Sequence, residues 1–274
     1  MKKNKKIITY IFLSFGIILI IFPLYLTFVN SFKETGQISS NFLDLPSPFT
    51  LNNFQRLIED GIVEAFANST IITVSSILII LLFIPLASFA VSRKMDKNKF
   101  FLAIYIYCVV GIFVPFQIVM IPLTSTMSSL GLTNRLGVVI LYLTYAVPQT
   151  LFLYAGFIKS VIPRELDEAA VIDGCGKFKM YFSVIFPLLK PMHATVIILN
   201  VLWIWNDFLL PVLMLNRNSS YWTLPLFQFN YQGEHFQDFG PSFAAYTTGI
   251  VTILIVYLIF QKNIISGMAQ GSVK

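Results

Sequence analysis

The sequence predicts an all-α membrane protein of six transmembrane helices, with both termini cytoplasmic and a short cytoplasmic helix between the fourth and fifth spans. Three observations predict it. The 274 residues are 56% hydrophobic and 12% charged, against about 25% charged in an ordinary soluble domain, and the mean hydropathy is +0.76. Charged residues are absent from 7–32, 65–92, 100–134, 136–158 and 239–261, and residues 191–216 are interrupted only by Asp207. About 20 apolar residues cross a bilayer as a helix, so each stretch is long enough to cross once. With six crossings, only Lys33, Arg56, Arg135 and Arg217 of the 19 basic residues fall on one side. The positive-inside rule makes the other side the cytoplasm.

The expected spans are about 7–31, 66–92, 100–125, 136–158, 191–215 and 241–261, with a cytoplasmic loop over 159–190, all within one domain, 1–274. The opening MKKNKK precedes an apolar run too long for a signal-peptide core, and no A-x-A site follows, so it reads as an uncleaved first span. The third apolar stretch exceeds one crossing and has room for a re-entrant or interfacial tail. Three outer segments result. The first, 33–64, carries LPSPFTLNNF, an extended stretch leading into a short helix. The second, 128–134, is short, and the third, 217–240, is an aromatic and polar loop. Prolines at 23, 85, 115, 122, 148, 211 and 241 fall in the spans, where each frees a carbonyl and kinks its helix. Kinked spans suit a bundle lining a pathway, although proline is also common in membrane helices generally.

The net charge of +6 is no nucleic-acid footprint, because its basic residues divide across the membrane. Cys108 lies in a span and Cys175 in a reducing compartment, which excludes a disulfide between them.

The long cytoplasmic loop holds ELDEAAVIDG, residues 165–174. Pro163 suits a first helical turn, Glu165, Asp167 and Glu168 favour the positive end of the helix dipole, and Gly174 suits a left-handed stop. The expected helix spans 163–173, and a second, 177–185, is ended by Pro187. An isolated helix this short is unstable in water, so it must dock. Leu166, Ala169 and Ala170 form a narrow small-residue face that a protein groove would accept, with Glu168 and Asp173 available to basic groups at its rim. The alternative is a helix lying on lipid, but anionic headgroups favour Lys/Arg-rich faces and this face is acidic.

Other chemistry is sparse. GCGK (174–177) lacks the first glycine and the Ser/Thr of a nucleotide loop, so ATP hydrolysis would belong to another subunit. His193 and His235 are too few and too far apart for a metal site, no catalytic constellation can be assembled, and no cofactor is expected. Asp207 is the one acid within a predicted span, where a carboxylate costs about 2.5–3.5 kcal/mol at mid-bilayer. It is a candidate pathway or gate residue with Asn68, Gln117, Asn200 and Asn206. The competing reading for Asp207 is a place at the outer interface, since 211–216 follows closely, and for the amides that they bind helices together. Tyr221, Trp222, Phe229 and Tyr231 in the third outer segment suit a binding surface, or an aromatic belt at the membrane surface.

The acidic loop resembles the EAA loop of permease subunits from binding-protein-dependent ABC importers. Glu168-Ala169-Ala170, Gly174, Val184 and Pro187 keep the family spacing, with Phe186 in place of the usual Leu. NSFKETGQI, SFAVSR, VPFQIVMIPL, LGLTNRLGVVILY, WNDFLLP and the tail GMAQGSVK extend the resemblance over almost the whole chain. They are similar to the carbohydrate-uptake class, in particular the second, six-span permease of maltose-type transporters. The resemblance implies alternating access driven by a separate cytoplasmic ATPase dimer. Leu166, Glu168, Ala169, Ala170, Asp173 and Gly174 would couple to it, and the tail residues Gly267, Gly271 and Lys274 would contact it. It further implies a heterodimer with a homologous permease, an extracellular or periplasmic solute-binding protein in contact with the third outer segment, and a multi-pass place in the bacterial cytoplasmic membrane. Two alternatives remain: an ion-coupled secondary carrier, for which Asp207 is the only intramembrane acid available, and an ABC permease for another polar solute such as glycerol phosphate.

Overall fold

The computed structural model describes residues 2–234 and 239–272, and every regular element among them is helical. In chain order these are α1 Lys2–Asn30, α2 Thr35–Ser40, α3 Asn52–Glu59, α4 Ile62–Lys94, α5 Lys99–Val110, α6 Phe116–Ser129, α7 Arg135–Val161, α8 Glu165–Ile172, α9 Lys177–Met180, α10 Phe186–Leu188, α11 Lys190–Asn206, α12 Leu209–Leu215, α13 Leu224–Glu234 and α14 Phe239–Ser272.

Three stretches, Thr9–Asn30, Ile62–Lys94 and Arg135–Val161, are long and apolar enough to cross a membrane as single helices. Two further pairs qualify as broken spans or re-entrant loops: Lys99–Phe113 with Phe116–Ser129, bent by 105°, and Lys177–Leu188 with Lys190–Asn206, bent by 73°. Phe239–Ile255 is a shorter apolar helix. Three to five crossings are therefore visible by length and composition.

The expected continuous spans over 100–125 and 191–215 are interrupted, and proline chemistry explains where. Val114 precedes Pro115 and takes an extended conformation, φ −87° and ψ 106°, because the proline ring disfavours a helical residue before it. Asp207 is extended at ψ 129°. Pro211 has no N–H to offer the Asp207 carbonyl four residues earlier, and the Asp207 side chain instead accepts from Leu209 N at 3.0 Å. Pro187 does not end its helix as expected. The chain passes through a π turn, Tyr181–Ile185, into α10, which accommodates the missing proline N–H; the bend comes at Leu189, before Pro191. The outer segment 217–240 is also no simple loop: a 3-10 turn, Ser219–Tyr221, precedes α13, which carries Pro225 in its first turn.

The chain divides into two compact units, Met1–Phe66 with Leu224–Tyr257, and Ala67–Thr223 with Leu258–Lys274. In the first, the segment after α1 folds about Lys33. Its fully buried ammonium donates to Asn30 Oδ1 at 3.0 Å and to the carbonyls of Asn41 and Phe42 at 2.8 and 3.2 Å. Burial pushes the Lys33 pKa down and Asp44 pulls it partly back. Asn53 donates to the Ser31 and Lys33 carbonyls, each at 2.8 Å. Phe32 stacks on Phe49 at 4.9 Å. Helix α3 forms where LPSPFTLNNF leads to it, while the stretch before it is bent at 42–44 and 47–48.

In the second unit α7 is central and packs against α5, α11 and α12. Val138, Tyr142, Tyr154, Ala155 and Ile158 on it are essentially inaccessible. Lipid tails are as apolar as these side chains, so such contacts act through close packing rather than water exclusion. At the start of α7, Gly137 leaves no room for a side chain, because a Cβ there would run into the Leu132 carbonyl of the preceding loop.

Candidate functional site

The acidic loop forms an elbow between α7 and α8. The helix starts at Glu165, two residues later than expected, and ends in a Schellman arrangement: Cys175 N donates to Ala170 O at 2.9 Å and Gly174 N to Val171 O at 3.0 Å. Gly174 supplies the left-handed residue this closure needs, at φ +75°.

Two ionic contacts fix the elbow to the end of α4. Arg93 meets Asp167 through one hydrogen bond, Nη2 to Oδ1 at 3.0 Å, and an ion-pair approach of Nε to Oδ2 at 2.7 Å that is not aligned as a hydrogen bond; a lysine ammonium has no planar group to make this set of contacts. The same guanidinium donates to the carbonyls of Ile162 and Pro163 at 3.0 and 3.3 Å. Both partners are mostly shielded, with side chains 13% and 19% exposed. In the following turn, Asp96 accepts from Lys159 Nζ at 2.6 Å and Arg164 Nη2 at 3.0 Å. The Lys159 hydrogen bond, helped by the charges of Lys159 and Arg164, holds the Asp96 carboxyl below the usual carboxylate range.

Asp167 and Ala170 thus face inward, and the remainder of α8 faces out. Ala170 is 6% exposed, so within this chain it packs against its own neighbours rather than forming an open face with Ala169. Leu166, Glu168, Ala169, Asp173 and Gly174 are exposed, and so are apolar residues the sequence reading passed over: Val171 at 63%, Ile172 at 85% and Phe178 at 72%. The signal for these was the apolar pair before the helix stop. Arg93 was missed as a partner because it lies 74 residues from Asp167.

A second arrangement forms where two helix breaks meet α7. Phe116, Gln117, Tyr145, Trp203, Asp207, Leu209 and Leu210 surround a cavity of about 150 Å³. Asp207 Oδ2 accepts from the buried Tyr142 hydroxyl at 2.9 Å, and Tyr142 meets Trp203 edge to face at 5.4 Å. Gln117 and Asp207 therefore lie together. Asn206 is exposed and donates to its own helix at Leu202 O, 2.7 Å. Asn200 is buried elsewhere on α11, its amide 2.9 Å from Val196 O.

Asn68 is also buried, and its amide donates to the carbonyls of Ser220 and Trp222, both at 2.9 Å. Arg135 supports the same turn: it donates to Ser220 O at 3.1 Å and lies 4.8 Å from the Tyr221 ring centroid. Trp222 Nε1 donates to Asn216 O at 3.2 Å. The third outer segment is thus held at its start, while Phe229 on α13 is exposed. Tyr231 is placed by its backbone on α13, as are Gly267 and Gly271 on α14; Lys274 lies outside the described residues. Cys108 and Cys175 are free, and the described residues contain no grouping of three or more metal-ligating side chains.

Comparison with known proteins adds sequence and fold relatives. Residues 83–270 match the family model described as binding-protein-dependent transport system inner membrane component. The chain is 56% identical over 277 residues to the multiple sugar-binding transport system permease protein MsmG of Streptococcus mutans serotype c (strain ATCC 700610 / UA159), covering all of both chains. It is 34% identical over 255 residues, 92% of this chain and 91% of the relative, to the melibiose/raffinose/stachyose import permease protein MelC of Bacillus subtilis (strain 168). A crystal structure of a bacterial ABC transporter that imports the acidic polysaccharide alginate contains a chain with the same fold. The TM-score is 0.82 at 22% identity, over 95% of this chain and 96% of that one.

Proposed function

The chain belongs to the binding-protein-dependent transport system inner membrane components, and from that membership we propose that it is the carbohydrate permease subunit of an ATP-driven importer in a bacterial cytoplasmic membrane. The α8 elbow is the observation that carries the reading. An eight-residue helix is too short to stand alone, yet here it is pinned at its base and presents apolar and acidic side chains outward. Seated in a cleft of a cytoplasmic ATPase, it would pass ATP-driven closure to α4 and α7 through Arg93 and Asp96. Leu166, Glu168, Ala169, Val171 and Ile172 would meet the ATPase, with Asp173 and Gly174 setting the exit path and Gly267, Gly271 and Lys274 adding a second contact.

In this assembly the chain crosses six times with both termini inside, each bent pair counting as one span. The exposed sides of α1, where Phe12 and Ile20 are largely bare, face lipid or a homologous permease. The outer turn held by Asn68 and Arg135, with Tyr221, Trp222, Phe229 and Tyr231, faces a solute-binding protein. The sugar class rests on full-length similarity to sugar permeases, so melibiose and raffinose are suitable first probes.

The test is extraction of the tagged protein in mild detergent, with identification of what co-purifies and assay of sugar uptake. A second permease, an ATPase and ATP-dependent uptake support the reading. A lone protein or homo-oligomer, under conditions where a known ABC importer stays assembled, would contradict it and favour an ion-coupled carrier.

A further inference from the structure

We propose that the cavity between the two helix breaks is a sugar-hydroxyl subsite of this subunit, with Asp207 and Gln117 as its polar partners and Tyr145, Trp203 and Phe116 as its ring-binding wall; the proposal rests on the carbohydrate reading above. Its starting point is the backbone. At membrane depth, non-helical backbone is tolerated where protein buries it or where it borders a water-filled cavity. Two separate breaks, at Val114–Pro115 and at Asp207–Phe208, converge on one cavity. Discontinuous helices that meet at a solute position are a recurring construction in transport proteins.

The side chains have matching chemistry. A carboxylate offers about four acceptor positions and no donor. The Tyr142 hydroxyl and Leu209 N take part of that capacity and fix the group. The Gln117 amide supplies both donors and an acceptor. Neighbouring hydroxyls of a sugar need this mixture, since each both donates and accepts. The rings are themselves held in place: Tyr145 against Phe116 at 5.4 Å and Trp203 against Tyr142 at 5.4 Å. Aromatic faces suit the apolar C–H side of a sugar ring, and the cavity of about 150 Å³ admits part of a saccharide rather than a whole oligosaccharide. A capping role for Asp207 alone would explain the break in α11–α12. It would not explain why Gln117 and the Phe116 and Tyr145 rings, from other helices, gather at the same point as Trp203.

The experiment uses the complete importer in cells, with uptake of radiolabelled melibiose and raffinose measured separately and normalised to assembled complex. A merely structural defect lowers both rates by one factor, whereas loss of a hydroxyl contact acts differently on sugars of different length. Gln117 is exposed, so Gln117→Ala tests the polar contact at little cost to folding; Tyr145→Leu tests the ring wall independently. The expected result is a change of about threefold or more in the ratio of melibiose to raffinose uptake in both variants. A ratio equal to that of the unaltered importer in both would overturn the subsite. If the unaltered importer takes up neither sugar while another class of solute is transported, the carbohydrate reading fails first and the subsite falls with it.

Discussion

The α7–α8 elbow and the helix-break cavity each depend on an aspartate, but their surroundings make different use of it. Asp96 is exposed and Asp167 mostly shielded, and both are held by cations, with the outer face of α8 left bare. Asp207 sits among apolar side chains and is held by a tyrosine hydroxyl and a backbone N–H. At the elbow, ion pairs hold a short helix against its neighbours without filling its outer face. In the apolar interior an unpaired charge is costly, so one carboxylate is oriented by neutral donors and keeps acceptor capacity for a ligand. On the proposed reading the first arrangement transmits force and the second touches the solute.

The largest expected effect comes from breaking the elbow at its turn. Proline is confined to φ near −65° and has no N–H, whereas Gly174 sits at +75° and its N–H bonds the Val171 carbonyl, so Gly174→Pro can keep neither the native turn nor that bond. The protein is expected to remain in the membrane but to lose ATPase retention and uptake, and Glu168→Lys should do the same by charge reversal. Membrane fractionation with pull-down checks both, and normal retention and uptake in both would contradict the coupling assignment.

Arg93→Ala comes next. It leaves Asp167 and two carbonyls without their shared donor, at a cost of about 3 kcal/mol. It should lower the melting temperature in detergent and weaken coupling between ATP hydrolysis and uptake. Arg93→Lys should recover the charge but not the guanidinium's set of bonds to Asp167 and the Ile162 and Pro163 carbonyls, and full rescue by lysine would show that this geometry is unimportant. A smaller effect, about 1–3 kcal/mol, is expected of Asn68→Ala, which removes the Asn68 donor from the Trp222 carbonyl and leaves the Ser220 carbonyl with Arg135. Thermal unfolding with and without the binding protein reads it.

Asp96 should give the smallest effect because its pairs are exposed and screened by salt. Its carboxyl is held below the ordinary value, so its contribution is present above about pH 3.9. That contribution disappears only as pH falls through the depressed value. The stability difference between the protein and Asp96→Asn should therefore persist from pH 7 to pH 5, narrow in high salt and vanish in strong acid. A difference that grew on acidification would reverse the assignment.

Much of this was legible in the sequence because it depended on local chemistry. Pro163, the acids after it and Gly174 announced α8 and its stop, and the length of 100–134 announced a segment longer than one crossing. The positions of the breaks were less clear. Proline is compatible with a continuous membrane helix at residues 23, 85, 122 and 148, yet accompanies breaks at 115 and 211. Only neighbouring groups, such as the Asp207 side chain, separate the two cases. Pairs distant in the chain, Arg93 with Asp167 and Tyr142 with Asp207, were not legible, since nothing local marks a partner 65 or 74 residues away. Asn68 stood out as a polar residue in a span, but its attachment to the 3-10 turn required the fold.

The central claim is that α8 seats in an ATPase, and a single cross-link tests it most directly. Ala169→Cys, in a background with Cys108 and Cys175 changed to serine, would be treated with a short bifunctional thiol reagent in membranes containing the whole importer. The ATPase would carry single cysteines along its membrane-facing cleft. The account predicts a cross-linked permease–ATPase product at some of those positions, and none from a control cysteine at Leu130 on the expected outer side. No product at any cleft position in an importer that still transports, or an equal product from Leu130, would contradict it.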